Sequence, residues 1–349
     1  MAKIVKMADI GERLNVSTVT VSKALSGQKG VSEELREKII KLADEMGYVR
    51  KGARGERDDT NRKSYMIGVI VSESYMEENH SFYRKIYQEI SIRANAKSCF
   101  LMLEIISHET EKKGELPRMV TEQKIDGMII MGPFKVDYAR KLNTVIRIPI
   151  LNLDTLVSVE EGGDCVVSNN LMGGYRMTNY LFQLGHEKIG FVGTRLATSS
   201  IDDRYFGYLK SLMEHGITWR EDWVLDDRDH EIGKVDSERW FEFPKEMPTA
   251  FFCNNDLSAS LLIEKLERNG YSVPGDVSVV GFDNYVKDQF GKVGITTYEI
   301  DVKEMAKRAV HIIYHKIGNA NYSTGIFMIP GKFVERDSAR RIGLAVPFV

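Results

Sequence analysis

The chain has 349 residues, 43% of them hydrophobic and 28% charged, enough for more than one folded unit with a sizeable core. No apolar run approaches the roughly 18 residues that span a bilayer, and the opening MAKIVKMADIGERL carries no apolar signal-peptide core, so a cytoplasmic location is expected. The formal net charge of −2 hides an asymmetry: residues 1–63 hold 14 Lys and Arg against 10 Asp and Glu, so a basic head precedes an acidic body, a distribution that suits nucleic-acid contact at one end.

In the head, Met7, Ile10 and Leu14 share one face of a short helix. Asn15 tolerates the left-handed conformation a helix end demands, and Ser17 is a good N-cap for a second helix from Thr18 to about Ser26, which buries Val21 and Leu25. Two short helices joined by a tight turn make a helix-turn-helix. The opposite face of the second helix carries Thr18, Val19, Ser22 and Lys23. Lys23 can donate to guanine, and Val19 and the Thr18 methyl can touch thymine methyls; the plainer alternative is a solvated helix face. Ser32 caps a third helix whose stripe Leu35, Ile39, Leu42, Ala43 and Met46 covers the first two, with Gly47 as its stop.

The body begins near Ser64. Apolar runs at Met66–Val71, Cys99–Ile106, Gly127–Gly132 and Pro149–Asp154 alternate with helical patterns, and the alternation restarts with Lys188–Gly193, Thr249–Asn254 and Val277–Phe282. Such alternation predicts an α/β body of two doubly wound parallel-sheet subdomains, with a ligand cleft at the strand C-termini. Polar residues fall at those ends: Asp154, Asn255 and Asp256, Asp283 and Asn284, and Arg204 in the loop and helix start after Lys188–Gly193. Carboxylates, amides and an arginine fork grip vicinal hydroxyls, and Phe82, Tyr83, Phe282 and Tyr285 can cover a sugar's C–H face. Helix caps, turns, or an Arg204–Asp283 ion pair are the plainer roles.

Cys99, Cys165 and Cys253 lack the close spacing of metal ligands and read as buried free thiols. G-x-G-x-x-G, the phosphate-loop pattern, G-x-S-x-G and H-E-x-x-H are all absent from the sequence, and the seven histidines are scattered, so neither an enzyme nor a metal or cofactor site is expected.

The head run DIGERLNVSTVTVSKALSGQKGVSEELREKIIKLADEMGY resembles the lactose-repressor (LacI/GalR) family through Asp9, Ile10, Val16, Ser17, Thr20, Val21, Ser22, Leu25, Val31, Ser32, Arg36, Gly47 and Tyr48. It departs at Gly11, Leu14, Asn15 and Lys23. SNNLMGGYRMTNYLFQLGHEKIGFVG, then Arg204, Gly207 and Tyr208, FFCNND, VPGDVSVVGFDN and VERDS extend the resemblance over nearly the whole chain. It implies a three-helix head (1–49), a linker or hinge (50–63) and a periplasmic-binding-protein-like, effector-binding body (64–341). The first subdomain is expected at about 64–165 and 294–325, the second at about 166–293 and 326–341.

The resemblance also implies base reading by Thr18, Val19 and Lys23, and phosphate contacts or turn support from Ser17, Thr20 and Ser22. Asp154, Arg204, Asn255 and Asp283 become effector contacts, with Phe82 and Tyr83 on the first subdomain's side. The family's linker wedges a leucine into the minor groove; here Arg57 takes that place, and of three readings, weakened DNA coupling, a charged tether, or entry of Arg54 or Arg57 into a narrow minor groove without a deep kink, one of the last two is expected. Nothing like a long leucine-rich helix follows Arg341, which points to a homodimer on a palindromic operator. The expected function is a repressor of carbohydrate-utilisation genes, controlled by a sugar. A phosphorylated metabolite, a nucleobase or a protein corepressor are the alternatives, with an enzyme or transport-type binding protein on the same fold more remote.

Overall fold

The computed structural model describes residues 7–25, 28, 30–46, 64–76, 82–156, 163–229, 235, 241–285, 293–319, 321–322 and 325–342. The chain divides into two compact units, residues 1–62 and 63–349. The linker, with Arg54 and Arg57, and the Gly47 stop lie outside the described residues.

In the first unit, α1 (Met7–Leu14), α2 (Thr18–Leu25) and α3 (Glu33–Glu45) enclose a small core of Ile10, Val21, Ala24, Ile39 and Ala43. Ala24 takes the buried place expected for Leu25, which is half-buried. Asn15 adopts a φ of 51°, the left-handed helix exit its sequence position predicts. Gly11 is explained by a close approach: the Val16 amide donates to its carbonyl at 2.9 Å, and a Cβ on Gly11 would stand 2.7 Å from the Val16 oxygen. The Arg36 guanidinium donates to the carbonyls of Ala24 (3.2 Å) and Gln28 (2.9 Å), tying α3 to the end of α2.

In the second unit, β1 (Met66–Ser72), β2 (Phe100–Ile106), β3 (Gly127–Met131), β4 (Ile150–Leu153) and β5 (Asp164–Ser168) alternate with helices that include α4 (Phe82–Asn95). After α5 (Asn170–Gln183) a second sheet forms from β6 (Ile189–Val192), β7 (Val224–Leu225), β8 (Ala250–Cys253) and β9 (Ser278–Val280). Between its strands lie α6 (Ser199–Glu214) and α7 (Asp256–Arg268). The C-terminal part supplies β10 (Thr297–Glu299), α8 (Val302–Gly318), β11 (Ile326–Ile329) and β12 (Lys332–Val334). The sheets run β11-β5-β4-β3-β1-β2 and β7-β6-β8-β9, all pairs parallel, with β10 and β12 as an antiparallel pair. Both sheets therefore end their strands on one side each, where loops can gather polar groups.

The subdomain boundaries differ from expectation. Ile326–Ile329, expected in the second subdomain, pairs with Asp164–Ser168 in the first sheet. The preceding crossing thus follows Ser168 rather than residue 165. Residues 294–299, expected in the first subdomain, bond to the end of the second sheet: Gly281 N donates to Thr296 O and Asp283 N to Tyr298 O. The first subdomain reclaims about 302–329, and the chain returns when Val279 N donates to Ser338 O. Pairing between strands about 160 residues apart leaves no local signal.

α5 and α6 cross backbone to backbone. A Cβ on Gly207 would press on the Leu171 carbonyl, and one on Gly174 on the Arg204 backbone, both under 3.0 Å. Ser211 Oγ donates to Asn179 Oδ1 at 2.9 Å beside this crossing. Gly207→Ala is expected to lower the stability of the body by about 3 kcal/mol, since the clash is with backbone and not a movable side chain. The same change at Gly325, where a Cβ meets nothing within 4 Å, should cost under about 0.5 kcal/mol. Equal midpoints in urea for the two variants would refute this account of the crossing.

Candidate functional site

The head offers one helix face. Ser17 Oγ accepts from the Thr20 amide at 3.1 Å and shares a 2.9 Å hydrogen bond with Thr20 Oγ1. This pair therefore supports the turn and starts α2. Thr18, Val19 and Lys23 stand exposed, Val19 at 61%, while Ser22 is half-buried. An exposed valine of this size at the start of a short helix, next to short hydroxyls and a lysine, suits contact with base edges.

In the body, the strand ends of the two sheets face each other. Phe82 of α4 meets Tyr285 after β9, ring centroids 6.0 Å apart, and Leu156 N donates to Ser199 Oγ at 3.3 Å. From the first sheet comes Asp154, in left-handed backbone (φ 59°) at the end of β4. Its Oδ2 accepts from the Tyr83 hydroxyl at 2.9 Å, and its Oδ1 is buried with no partner among the described residues. Tyr83 packs over Gly132, where a Cβ would fall 2.8 Å from the ring, and meets Tyr75 and Phe82 edge-on at 5.3 and 5.4 Å. Burial pushes the Asp154 carboxyl up to about 6, against the opposing influence of Arg204 and the Tyr83 hydrogen bond. Burial, then the Asp154 charge, drives the Tyr83 phenol well up.

From the second sheet comes Arg204 of α6, 6% exposed. Its Nε donates to Asn170 Oδ1 at 3.0 Å, its Nη1 to the Asn254 carbonyl at 2.6 Å, and its guanidinium lies 4.0 Å over the Phe282 ring. The Arg204–Asp283 ion pair that the sequence allowed does not form: no carboxylate of the described residues reaches ion-pair distance of Arg204, and Asp154 and Asp283 act on it only through space. Asp283, at φ 87°, accepts from Tyr285 N at 3.5 Å. Burial, then the Asp256 charge, holds its carboxyl well above the usual range.

Other sequence candidates serve local structure. Asn255 Oδ1 caps α7 by accepting from Ser258 N at 2.8 Å, and its Nδ2 donates to Asn254 Oδ1 at 2.8 Å; both ends of its amide are engaged, so it offers a ligand least. Asp256 accepts from Thr297 Oγ1 at 2.7 Å and Asn284 from Arg336 at 2.7 Å. Phe282 is fully buried beneath Arg204. The three cysteines are buried and free.

Sequence reasoning missed Asp227 and Arg228, because the two-residue β7 before them is too short to register as a strand. Asp227 is 0% exposed and Arg228 7%. The Arg228 fork donates to Asp227 through Nε (2.9 Å) and Nη2 (2.8 Å), and Nη2 also reaches Asn254 Oδ1 at 3.1 Å. Asp227 further accepts from Thr194 N, Asn254 Nδ2 and Ser258 Oγ. Burial alone would raise the Asp227 carboxyl; the charge and hydrogen bonds of Arg228 outweigh it and hold it well below the usual range. Across the gap, the Arg228 charge is felt by Tyr75 and Tyr83.

Residues 6–51 match the family model for bacterial regulatory proteins of the lacI family, and residues 178–339 that for a periplasmic binding protein-like domain. The HTH-type transcriptional repressor PurR of Vibrio vulnificus (strain CMCP6) is 26% identical over 340 residues, 96% of this chain and 98% of its own. The PurR of Vibrio atlanticus (strain LGP32) is 27% identical over 337 residues, with the same coverage of both chains. Among solved structures, the lac repressor dimer bound to operator and the anti-inducer ONPF superposes with a TM-score of 0.72 at 22% identity, over 97% of this chain and 100% of that one. The CelR–cellobiose complex gives 0.66 at 19% identity, over 96% and 100%. These proteins are transcriptional regulators, not enzymes. With both domains matched in that order, the chain carries a head of the lacI family of bacterial regulatory proteins on a periplasmic binding protein-like body, and is similar over nearly its whole length to these transcriptional repressors.

Proposed function

We propose that Thr18, Val19 and Lys23 read one operator half-site from the major groove, that two copies of the chain bind a palindromic operator in the cytoplasm, and that a small polar effector between the two sheets sets operator affinity. Carbohydrate is the effector class that the strand-end groups suit best: acceptors at Asp154 and Asp283, a donor fork at Arg204 and a wall of Phe82, Tyr83 and Tyr285. The observation that carries this reading is that, among the described residues, a buried carboxylate oxygen has no donor (Asp154 Oδ1) and a buried guanidinium no carboxylate (Arg204). Buried polar groups without partners are costly, and a ligand that supplies both a donor and an acceptor satisfies them together. Ligand that prefers one arrangement of the subdomains then shifts operator affinity by its differential affinity for the two states.

The test is a thermal-shift panel of sugars, sugar phosphates, nucleobases and amino acids. A ligand present at 100 times its Kd should stabilise the wild type by about 2.7 kcal/mol, and Arg204→Ala should abolish that gain. A stabilisation that survives in Arg204→Ala would place the effector elsewhere.

A further inference from the structure

The effector site contains two buried guanidinium groups and not one. Arg204 and Arg228 meet at one residue: Arg204 Nη1 donates to the Asn254 carbonyl at 2.6 Å and Arg228 Nη2 to Asn254 Oδ1 at 3.1 Å, and the charges of both are felt by Tyr83. Their carboxylate supply is uneven. Asp227 is bound bidentately by Arg228 and takes three further hydrogen bonds, so it is consumed by that network. Among the described residues, Arg204 has only neutral partners and a ring beneath it. Asp283 answers poorly, since burial favours its neutral form. Asp154 is shared with the Tyr83 hydroxyl and also resists ionisation. One nitrogen remains available on each fork: Nη2 of Arg204 and Nη1 of Arg228 make no hydrogen bond to the described residues. A buried cation without an ion-pair partner is strongly unfavourable, and two further guanidinium nitrogens, one from α6 and one from the segment after β7, on forks that share Asn254, suit a planar or tetrahedral anion better than a hydroxyl.

We infer that the effector is a hydroxylated small molecule bearing an anionic group, a carboxylate or a phosphate, which Arg204 and Arg228 hold together while a hydroxyl donates to Asp154 Oδ1. Arg228 is the residue that sets this specificity. The inference rests on the effector reading above and narrows it from carbohydrates in general to their acids or phosphate esters.

The experiment is calorimetric titration of the full chain with matched series: glucose, gluconate, glucuronate and glucose 6-phosphate, then ribose, ribonate and ribose 5-phosphate. At least one anionic member should bind about tenfold or more tightly than its neutral parent. Preference for the carboxylate over the phosphate arm, or the reverse, identifies the anion. Arg228→Gln should erase the preference, so that the acid and its neutral parent bind within about threefold of each other, whatever the variant does to both affinities together. Arg228→Lys keeps a cation beside Asp227, so it preserves the fold if the glutamine variant does not, and should retain the preference in weaker form. A neutral parent that binds wild type as tightly as its acids, or an Arg228→Gln variant that keeps the full preference for the acid, would overturn the anion assignment and leave the effector site standing. Silence of every probe, in protein that melts cooperatively, would overturn both.

Discussion

Asp227→Ala should lower the stability of the body by about 3–5 kcal/mol, the loss expected when one partner of a buried ion pair is removed and the other stays behind. Asp227 is wholly buried and accepts from Arg228 Nε and Nη2, Thr194 N, Asn254 Nδ2 and Ser258 Oγ. Alanine leaves the guanidinium and the other donors without their acceptor in a low-dielectric interior. The network also joins three strand ends: Thr194 after β6, Asp227 after β7 and Asn254 after β8. Thr194 Oγ1 accepts from the amides of Asp227 and Arg228 and donates to the Arg228 carbonyl. A loss here therefore loosens the platform on which Arg204 rests through the Asn254 carbonyl. All three tryptophans, Trp219, Trp223 and Trp240, lie in the body, so their fluorescence in urea follows this domain and not the head. The control is the double change Asp227→Leu with Arg228→Met. It removes both charges together and should recover more than half of the loss, because an ion pair replaced by apolar groups of similar volume is close to neutral. A single-variant loss under about 1 kcal/mol would mean that solvent reaches the pair.

The head was legible because its signals are local. A left-handed Asn15, the Ser17 cap and an apolar stripe every three to four residues act within a dozen positions, and all appear where the sequence places them. The parallel strands were legible for a related reason: buried on both faces, they read as continuous apolar runs. Long-range pairing was not. Nothing near Ile326–Ile329 says that its partner is Asp164–Ser168, so the last crossing between subdomains was drawn too early in the sequence. In the site, Asp154, Arg204 and Asp283 were visible as polar residues at strand ends. Asn255 shows the ambiguity of that rule, since an asparagine between strand and helix is as well suited to capping α7 as to binding a ligand. Arg228 escaped because the rule needs a recognisable strand, and Val224–Leu225 has only two residues.

Asp154→Asn should make the unliganded body more stable at pH 8, by about 2–3 kcal/mol, and should leave it no more stable than wild type at pH 4. Burial raises the Asp154 carboxyl from its ordinary 3.8 to about 6 in the folded state. The folded protein thus holds this proton more tightly than the unfolded chain does. Its contribution favours folding most below about pH 4, declines as pH rises through 6, and is a standing penalty above that. A rise from 3.8 to about 6 corresponds to about 3 kcal/mol. Asparagine cannot ionise, so the penalty disappears, while its oxygen still accepts from Tyr83 Oη. A small part of the gain is offset, because the new amide N–H also lacks a partner. Burial likewise raises Asp256, to about 7, and Asp283, but both remain in wild type and variant alike and largely cancel in the difference. Urea titrations of the two proteins at pH 4, 6 and 8 measure the gap, and a gap that does not change with pH would show that Asp154 is solvated in the folded chain. The same substitution should weaken effector binding, since Oδ1 is then no longer an anionic acceptor. Under the proposed function, a donor from the effector to Asp154 Oδ1, the oxygen that Tyr83 leaves without a partner among the described residues, would offset the cost of the ionised carboxylate and so couple ligand binding to the stability of the gap between the sheets.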